Sequence, residues 1–294
     1  MLKVLVTGGD SFTARHLMPI LISSGLDCYS TRTSESKDET NSHYCDVTDY
    51  GSVDTVIKTV APDYIIHLAG ISFAAHPRPL ELYNVNVLAT ENILRSVSTQ
   101  LPNIKKVILA SSANVYGACN STFIDEEVCP FPVNHYAASK LAMEHMASTW
   151  MDRLPITIVR PFNYTGRGQD KKFLVPKIVS HFTEGITEIE LGNINVARDF
   201  TDVRVICQYY VKLLLEAKAV GETINLCSGR LITLSSILKE ASKITGREID
   251  IKVDPEFVRK SDIMELRGNP AKLYKLIGVH KHPSIEETLT WMLQ

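Results

Sequence analysis

The 294-residue sequence predicts an α/β fold: a doubly wound parallel sheet with a smaller, interleaved C-terminal region. Three observations predict it. Short, almost wholly apolar runs alternate with longer amphipathic ones through the first half, as in strands covered by helices on both faces. The first apolar run ends in a glycine turn that opens straight into a helical pattern. After Pro161 the alternation loosens into polar loops and separated helical stretches.

In order along the chain, a first strand is expected over 3–6, and residues 15–23 carry apolar side chains at helical spacing. Further strands are expected over 27–30, 64–68, 107–110 and 156–160, with helices over 52–60, 81–99 and 136–151. Beyond Pro161 come helices over 175–184, 203–217 and 234–245 and short strands over 188–191 and 249–253. The helix beginning near 203 reads as another cover for the sheet. The division is therefore 1–162 plus about 200–222 for the sheet unit, and about 163–199 plus 223–294 for the smaller unit.

Bulk charge excludes some functions. The 31 basic and 33 acidic residues nearly cancel, and no basic block stands out, so neither nucleic acid nor an anionic membrane is expected as a partner. No apolar stretch approaches the roughly 18 residues of a membrane span. The opening MLKVLVTGG does not read as a signal peptide, so a cytoplasmic location is expected. The six cysteines are scattered without a Cys-x-x-Cys pair, which predicts reduced thiols and no metal site.

Thr7-Gly8-Gly9-Asp10-Ser11-Phe12-Thr13-Ala14 follows the first strand. A dinucleotide site needs a tight turn here, so that the amides of a helix N-terminus face a pyrophosphate. Gly8 supplies the turn, while Ser11 and Ala14 stand where the usual fingerprint has glycine. An ordinary strand-turn-helix is the plain alternative. Asp46 and Val47 lie in a loop able to take an adenine amine, and Leu68-Ala69-Gly70 ends a strand where a nicotinamide ribose could pass. Thr31 and Arg32 close the second strand where a free ribose 2′-hydroxyl would call for an acid, which favours NADP(H) over NAD(H). The alternative for Arg32 is a solvated surface arginine.

The sharpest pattern is Tyr136-Ala137-Ala138-Ser139-Lys140. Positions four apart share a helix face, so phenol and ammonium point the same way. A nearby cation favours phenolate, moving the tyrosine toward proton transfer near neutral pH. About 20 residues earlier, Ser111-Ser112-Ala113-Asn114 places hydroxyls at a strand's carboxyl end, where ligands bind in open sheets.

With these residues the chain resembles, over nearly its whole length, the extended short-chain dehydrogenase/reductases that act on nucleotide sugars, whose sheet is the Rossmann fold. The resemblance implies that Ser112 binds the reacting oxygen, Tyr136 transfers the proton, and Lys140 holds the nicotinamide ribose and lowers the phenol pKa. It adds Phe12, Thr13, Asn86 and Pro161 to the cofactor residues. Sugar-nucleotide 4,6-dehydratases carry an acid just after the active-site serine, where this chain has Ala113 and Asn114. The epimerase-reductase that makes GDP-fucose uses a cysteine at Asn114 and a histidine at Phe173. What remains needs one hydride and one proton.

The runs at 160–169, 197–204, 225–229, 259–263 and 266–269 resemble GDP-4-keto-6-deoxy-D-mannose reductases. This implies reduction of a C4 ketone, with Asn163, Lys177, Arg198 and Arg259 around the nucleotide diphosphate and Ser72, Ser112, Asn114 and Val175 toward the substrate. Interdomain ion pairing for Arg198 and Arg259, and helix-surface solvation for Lys177, are the alternatives. The base stays open among GDP, UDP, dTDP and CDP. A nucleotide-sugar 4-epimerase retaining NAD, or an inactive NADP-sensing protein, are the rival readings. The family commonly pairs the helices over 81–99 and 136–151 into a four-helix bundle, which implies a homodimer.

Overall fold

The computed structural model describes residues 1–34, 41–117, 119, 121, 123–194, 196–253 and 264–294. β1 (Lys3–Thr7) leads into α1 (Phe12–Ser23), then β2 (Asp27–Arg32), β3 (Ser42–Tyr44), α2 (Tyr50–Val60) and β4 (Tyr64–His67). α3 (Pro79–Tyr83), a π-helical turn at Asn84–Leu88 and α4 (Ala89–Gln100) then run on, where the sequence predicts one helix over 81–99. β5 (Lys106–Ala110), a 3₁₀ turn at Ala113–Tyr116, α5 (His135–Ser148) and β6 (Ile156–Pro161) close the first half.

The second half runs β7 (Asn163–Thr165), α6 (Leu174–Glu184), β8 (Glu188–Leu191), β9 (Ala197–Arg198), β10 (Phe200–Asp202) and α7 (Val203–Leu215). It continues with β11 (Thr223–Leu226), β12 (Ile232–Thr233), α8 (Leu234–Thr245), β13 (Asp250–Val253), β14 (Glu265–Leu266), α9 (Ala271–Ile277) and α10 (Ile285–Leu293).

Seven strands form one sheet in the order β11-β6-β5-β4-β1-β2-β3, every pairing parallel. The strand pleat explains why both faces must be apolar. Val4 and Val6 point into a core shared with Leu17 and Leu21 of α1 and Ile206 of α7. Leu5, between them, points into the opposite core with Ile57 of α2, Ile93 of α4 and Met143 of α5. Full burial of each such side chain contributes about 1.5–3 kcal/mol. A third core, built on Ile178, Phe182, Ile237 and Leu289, holds α6, α8 and α10 of the smaller unit together.

The division between the units differs from the sequence-based one at 222. β11 completes the sheet beside β6, with Ile224 and Leu226 fully buried, and Leu273 of α9 packs into the core under α7. Four residues after a glycine turn offer too short a run to announce a strand. The other strands absent from the sequence reading are only two or three residues long. All six cysteines are free, and no helix among the described residues is long and apolar enough to cross a membrane.

Candidate active site

A cleft of about 520 Å³ opens at the carboxyl ends of β1, β4, β5 and β6. In open α/β sheets ligands sit at that edge, where the strand order reverses. One wall comes from the sheet unit: Ser11, Phe12 and Thr13 of the β1–α1 turn, Leu68, Gly70 and Ser72 after β4, and Ser112 and Asn114 after β5. Tyr136 and Lys140 of α5 and Pro161 of β6 complete that side. The smaller unit supplies Asn163, Val175, Arg198 and Phe200 opposite.

The β1–α1 turn is held from below. Gly8 has φ +71°, and a Cβ there would stand 2.9 Å from the backbone of Ala69, so only glycine lets the turn lie on the end of β4. The Gly8 amide donates to Thr31 Oγ1 at 3.1 Å, and the Gly9 amide to the Thr31 carbonyl at 2.7 Å. Ser11 caps α1, its hydroxyl accepting from the Ala14 amide at 3.2 Å. Phe12 and Thr13, in the first turn of α1, line the cleft beside Ser11, a helix start that fits the pyrophosphate of a dinucleotide.

Arg32 is not a solvated surface arginine. Its side chain is buried, and Nε donates to Ser42 Oγ at 2.5 Å across the β2–β3 edge. Asp46 is engaged locally, accepting from the Thr48 amide and hydroxyl at 2.9 and 2.7 Å, beside buried Val47. Gly8, Thr31, Arg32, Asp46, Val47, Ala69 and Asn86 are not among the residues lining the cleft.

Asn86 sits on the π-helical turn and braces the far wall. Its Oδ1 accepts from the Ile71 amide at 2.9 Å, while Nδ2 donates to the Ile71 carbonyl at 3.2 Å and to Ser139 Oγ at 3.0 Å. A Cβ on Gly70 would meet Asn86 Oδ1 at 2.9 Å and Lys140 Nζ at 3.4 Å. His67 lies beneath, bonded to Thr7 Oγ1 at 2.7 Å and Thr90 Oγ1 at 3.1 Å. Thr90 gives its own proton to the Asn86 carbonyl, so His67 Nε2 donates to Thr90 and Nδ1 accepts from Thr7. Burial, with the Lys140 charge nearby, pulls this imidazole down to about 3 and keeps it neutral.

The Asn134 side chain caps α5, and Tyr136 and Lys140 follow on one face, both buried. Lys140 Nζ donates to the Ala110 carbonyl at 2.9 Å. Burial lowers the ammonium to about 8, against the opposing pull of Glu144. Tyr136 departs from the sequence expectation. Burial raises its phenol above the ordinary 10, with a hydrogen bond from Ser112 acting the other way. The ammonium that should favour phenolate is turned to a backbone carbonyl, and desolvation wins.

Five of the predicted substrate residues, Ser72, Asn114, Asn163, Val175 and Arg198, line the cleft with Ser112. Arg198 Nη1 donates to the carbonyls of Ala197 and Met264 at 2.9 and 3.2 Å. Lys177 does not join them: its Nζ donates to the Glu190 carbonyl at 2.7 Å, outside the cleft lining. It lies on α6, one helical step past Val175 and Pro176, which do face in. Arg259 falls outside the described residues. No group of three metal-ligating side chains occurs among the described residues.

Two features lay beyond sequence reasoning. Tyr164 of β7 stacks on Phe12 at 6.0 Å and shares a 2.7 Å hydrogen bond with Thr13, tying the smaller unit to the start of α1. Behind Tyr136 and Lys140, Glu144 accepts from Arg160 Nε and Nη2 at 2.9 and 2.6 Å and from the Ser111 hydroxyl. Glu144 stands four residues past Lys140, the spacing that could have drawn attention to it.

A family model described as the NAD dependent epimerase/dehydratase family matches residues 4–227. The GDP-6-deoxy-D-talose 4-dehydrogenase of Aggregatibacter actinomycetemcomitans is 37% identical over 281 residues, covering 94% of this chain and 92% of that protein. The GDP-6-deoxy-D-mannose reductase of Pseudomonas aeruginosa is 30% identical over 243 residues, covering 79% of each. Among solved structures, RMD from Pseudomonas aeruginosa, complexed with NADPH, superposes with a TM-score of 0.85 at 27% identity, covering 100% of this chain and 98% of that one.

Proposed function

The chain belongs to the NAD dependent epimerase/dehydratase family, and from that premise we propose that it reduces the C4 ketone of GDP-4-keto-6-deoxy-D-mannose with NADPH. The product is a GDP-6-deoxyhexose. The observation that carries this reading is the convergence of Ser112, Tyr136 and Lys140 in one cleft, with nothing titratable at Ala113 or Asn114. Such a set handles one proton and leaves water elimination without its second acid and base. The names of the two curated relatives support a GDP-sugar with its chemistry at C4.

The start of α1 and the small residues at Ala69 and Gly70 fit a dinucleotide. Ser11 and Thr13 would face its pyrophosphate, Lys140 its nicotinamide ribose, and Arg32 with Thr31 the 2′-phosphate that distinguishes NADP(H). The nicotinamide, when bound, supplies a hydride. Tyr136 gives its phenolic proton to the C4 oxygen, and Ser112 donates a hydrogen bond to the same atom. Both interactions strengthen as charge develops on that oxygen, which is where they accelerate the step. The raised phenol suits an acid: the proton stays on Tyr136 at neutral pH until an alkoxide forms to take it. Asn163 and Arg198 would hold the diphosphate, Arg198 with the fork geometry that phosphate oxygens favour.

Exposed Leu80 and Leu88 beside α4 support a homodimer through a bundle of the helices at 79–100 and 135–148, which light scattering of the purified protein would test.

The test is nicotinamide absorbance with freshly made GDP-4-keto-6-deoxy-D-mannose, with NADH in a parallel reaction. Turnover that prefers NADPH supports the reading, and NMR of the product reads the C4 configuration. The higher identity to the talose enzyme favours the talo product. Interconversion of C4 epimers with no net cofactor consumption would instead establish an epimerase. Tyr136→Phe should lower turnover by at least about 10²-fold and leave NADPH binding intact.

A further inference from the structure

The geometry points to Asn114 as a positioning residue that fixes Ser112 as a hydrogen-bond donor toward the reacting oxygen. This rests on the reading of Ser112 and Tyr136 as the pair that handles that oxygen.

A serine hydroxyl has one proton to give and two lone pairs to receive with. Ser112 Oγ accepts from the Asn114 backbone amide at 3.2 Å and from Asn114 Nδ2 at 3.1 Å. The first bond is built into the fold, since Ser112 is the extended N-cap residue of the 3₁₀ turn over Ala113–Tyr116. The second comes from the side chain at 114 alone. With both lone pairs filled, the one hydroxyl proton is left to donate into the cleft that Ser112 and Tyr136 both line.

Two consequences follow for a ligand in the cleft. A ketone oxygen, which can only accept, meets two converging donors. A sugar hydroxyl in the same place finds no acceptor on Ser112 for its proton, and must rely on Tyr136. An acid at 114, acting as an acceptor, would draw the Ser112 proton to itself and reverse this polarity.

Asn114 does not titrate, so any change it makes in a pH profile has to pass through its neighbours. The titratable groups packed around the pair are Lys140 and Glu144 of α5, His67 of β4, Arg160 of β6, Tyr164 of β7 and Tyr210 of α7. None of them bonds to the Asn114 side chain, whose one described partner is Ser112.

The experiment compares Asn114→Asp and Asn114→Ala, each in the wild-type and the Ser112→Ala background, with Tyr136→Phe as reference. Read-outs are kcat, KM for the keto sugar, the pH profile of kcat, NADPH affinity and the melting temperature. Asn114→Asp should lower kcat by about 10²–10³-fold, the usual cost of one oxyanion donor. It should also make kcat recover toward acid pH, because a protonated acid can donate to Ser112 Oγ as Asn114 Nδ2 does, whereas the carboxylate can only accept. Asn114→Ala keeps the backbone bond and should cost no more than about tenfold, with NADPH affinity unchanged. In the Ser112→Ala background the extra effect of Asn114→Asp should vanish, whereas a purely charge-based effect would persist there. Equal losses from Asp and Ala with an unmoved profile would overturn the inference, as would wild-type turnover in Asn114→Asp. A fully active Tyr136→Phe would instead sink the catalytic reading on which the inference stands.

Discussion

Removing the guanidinium of Arg160 should be among the most damaging single changes in the sheet unit. Arg160 and Glu144 are both about nine-tenths buried, their side chains 8% and 7% exposed. The guanidinium grips the carboxylate with two hydrogen bonds at 2.9 and 2.6 Å. Its third nitrogen donates to the Tyr116 hydroxyl at 2.9 Å, and that hydroxyl donates to Asn225 Oδ1 at 2.7 Å. Asn225 Nδ2 donates in turn to the Ile124 carbonyl at 3.1 Å. Arg160→Met leaves the Glu144 carboxylate buried with only the Ser111 hydroxyl, a loss of about 3–5 kcal/mol. At about 2–4 °C per kcal/mol for chains somewhat shorter than this one, the melting temperature should fall by roughly 10 °C. Arg160→Met combined with Glu144→Leu should recover much of that loss, because the ion pair itself contributes little once neither charge is buried alone. Differential scanning calorimetry of the two singles and the double, without cofactor, measures all three. A single variant melting within about 2 °C of wild type would refute the reasoning, since the carboxylate would then be finding water or a new partner.

Three further outcomes are expected. The Lys140 ammonium is charged below about 8 and loses its charge above it, so kcat/KM for reduction should fall on the alkaline side with an apparent pKa near 8. Lys140→Arg, which stays charged, should carry that limb to higher pH at a lower maximum, and a wild-type profile flat to pH ~10 would contradict the assignment. Arg32→Ala should weaken NADPH by about 10–100-fold, the worth of one charge-assisted contact, with little change for NADH; equal losses for both cofactors would remove the 2′-phosphate from its role. Gly117→Ala should prevent folding or cost more than about 4 kcal/mol, because φ is +51° and a Cβ would lie 1.8 Å from the Phe131 carbonyl oxygen; circular dichroism of the expressed variant decides it.

What the sequence made legible is what short stretches of chain determine. The apolar runs of β1, β4, β5 and β6 announce strands buried on both faces, and the four-residue spacing of Tyr136 and Lys140 places both on one helix face. The Ser112 strand end and the turn at Gly8 are equally local. What it concealed depends on contacts between distant segments. β11 becomes a strand because β6 offers it an edge. Tyr164 matters because Thr13 meets its hydroxyl 151 residues away in sequence. The expected lowering of the Tyr136 phenol failed for the same reason. Helical spacing brings the ammonium to the correct face, but the Ala110 carbonyl and the surrounding burial decide which way the proton equilibrium moves.

The arrangement behind the cleft bears on the reaction itself. Lys140 and Arg160 bring two positive charges into the buried wall and Glu144 one negative, while His67 is held neutral by burial. The balance is one positive charge under the site where the proposed reduction would form an alkoxide. Glu144 is spent on Arg160 and Ser111, so it opposes the lowering of the Lys140 pKa without taking that lysine as a partner. A wall of this kind favours negative charge on the reacting oxygen and leaves the phenol to discharge it. Glu144→Gln should then lower the alkaline limb below that of the wild type, because the opposing influence on Lys140 is gone. The same limb unmoved in Glu144→Gln would confine Glu144 to holding α5 against β6.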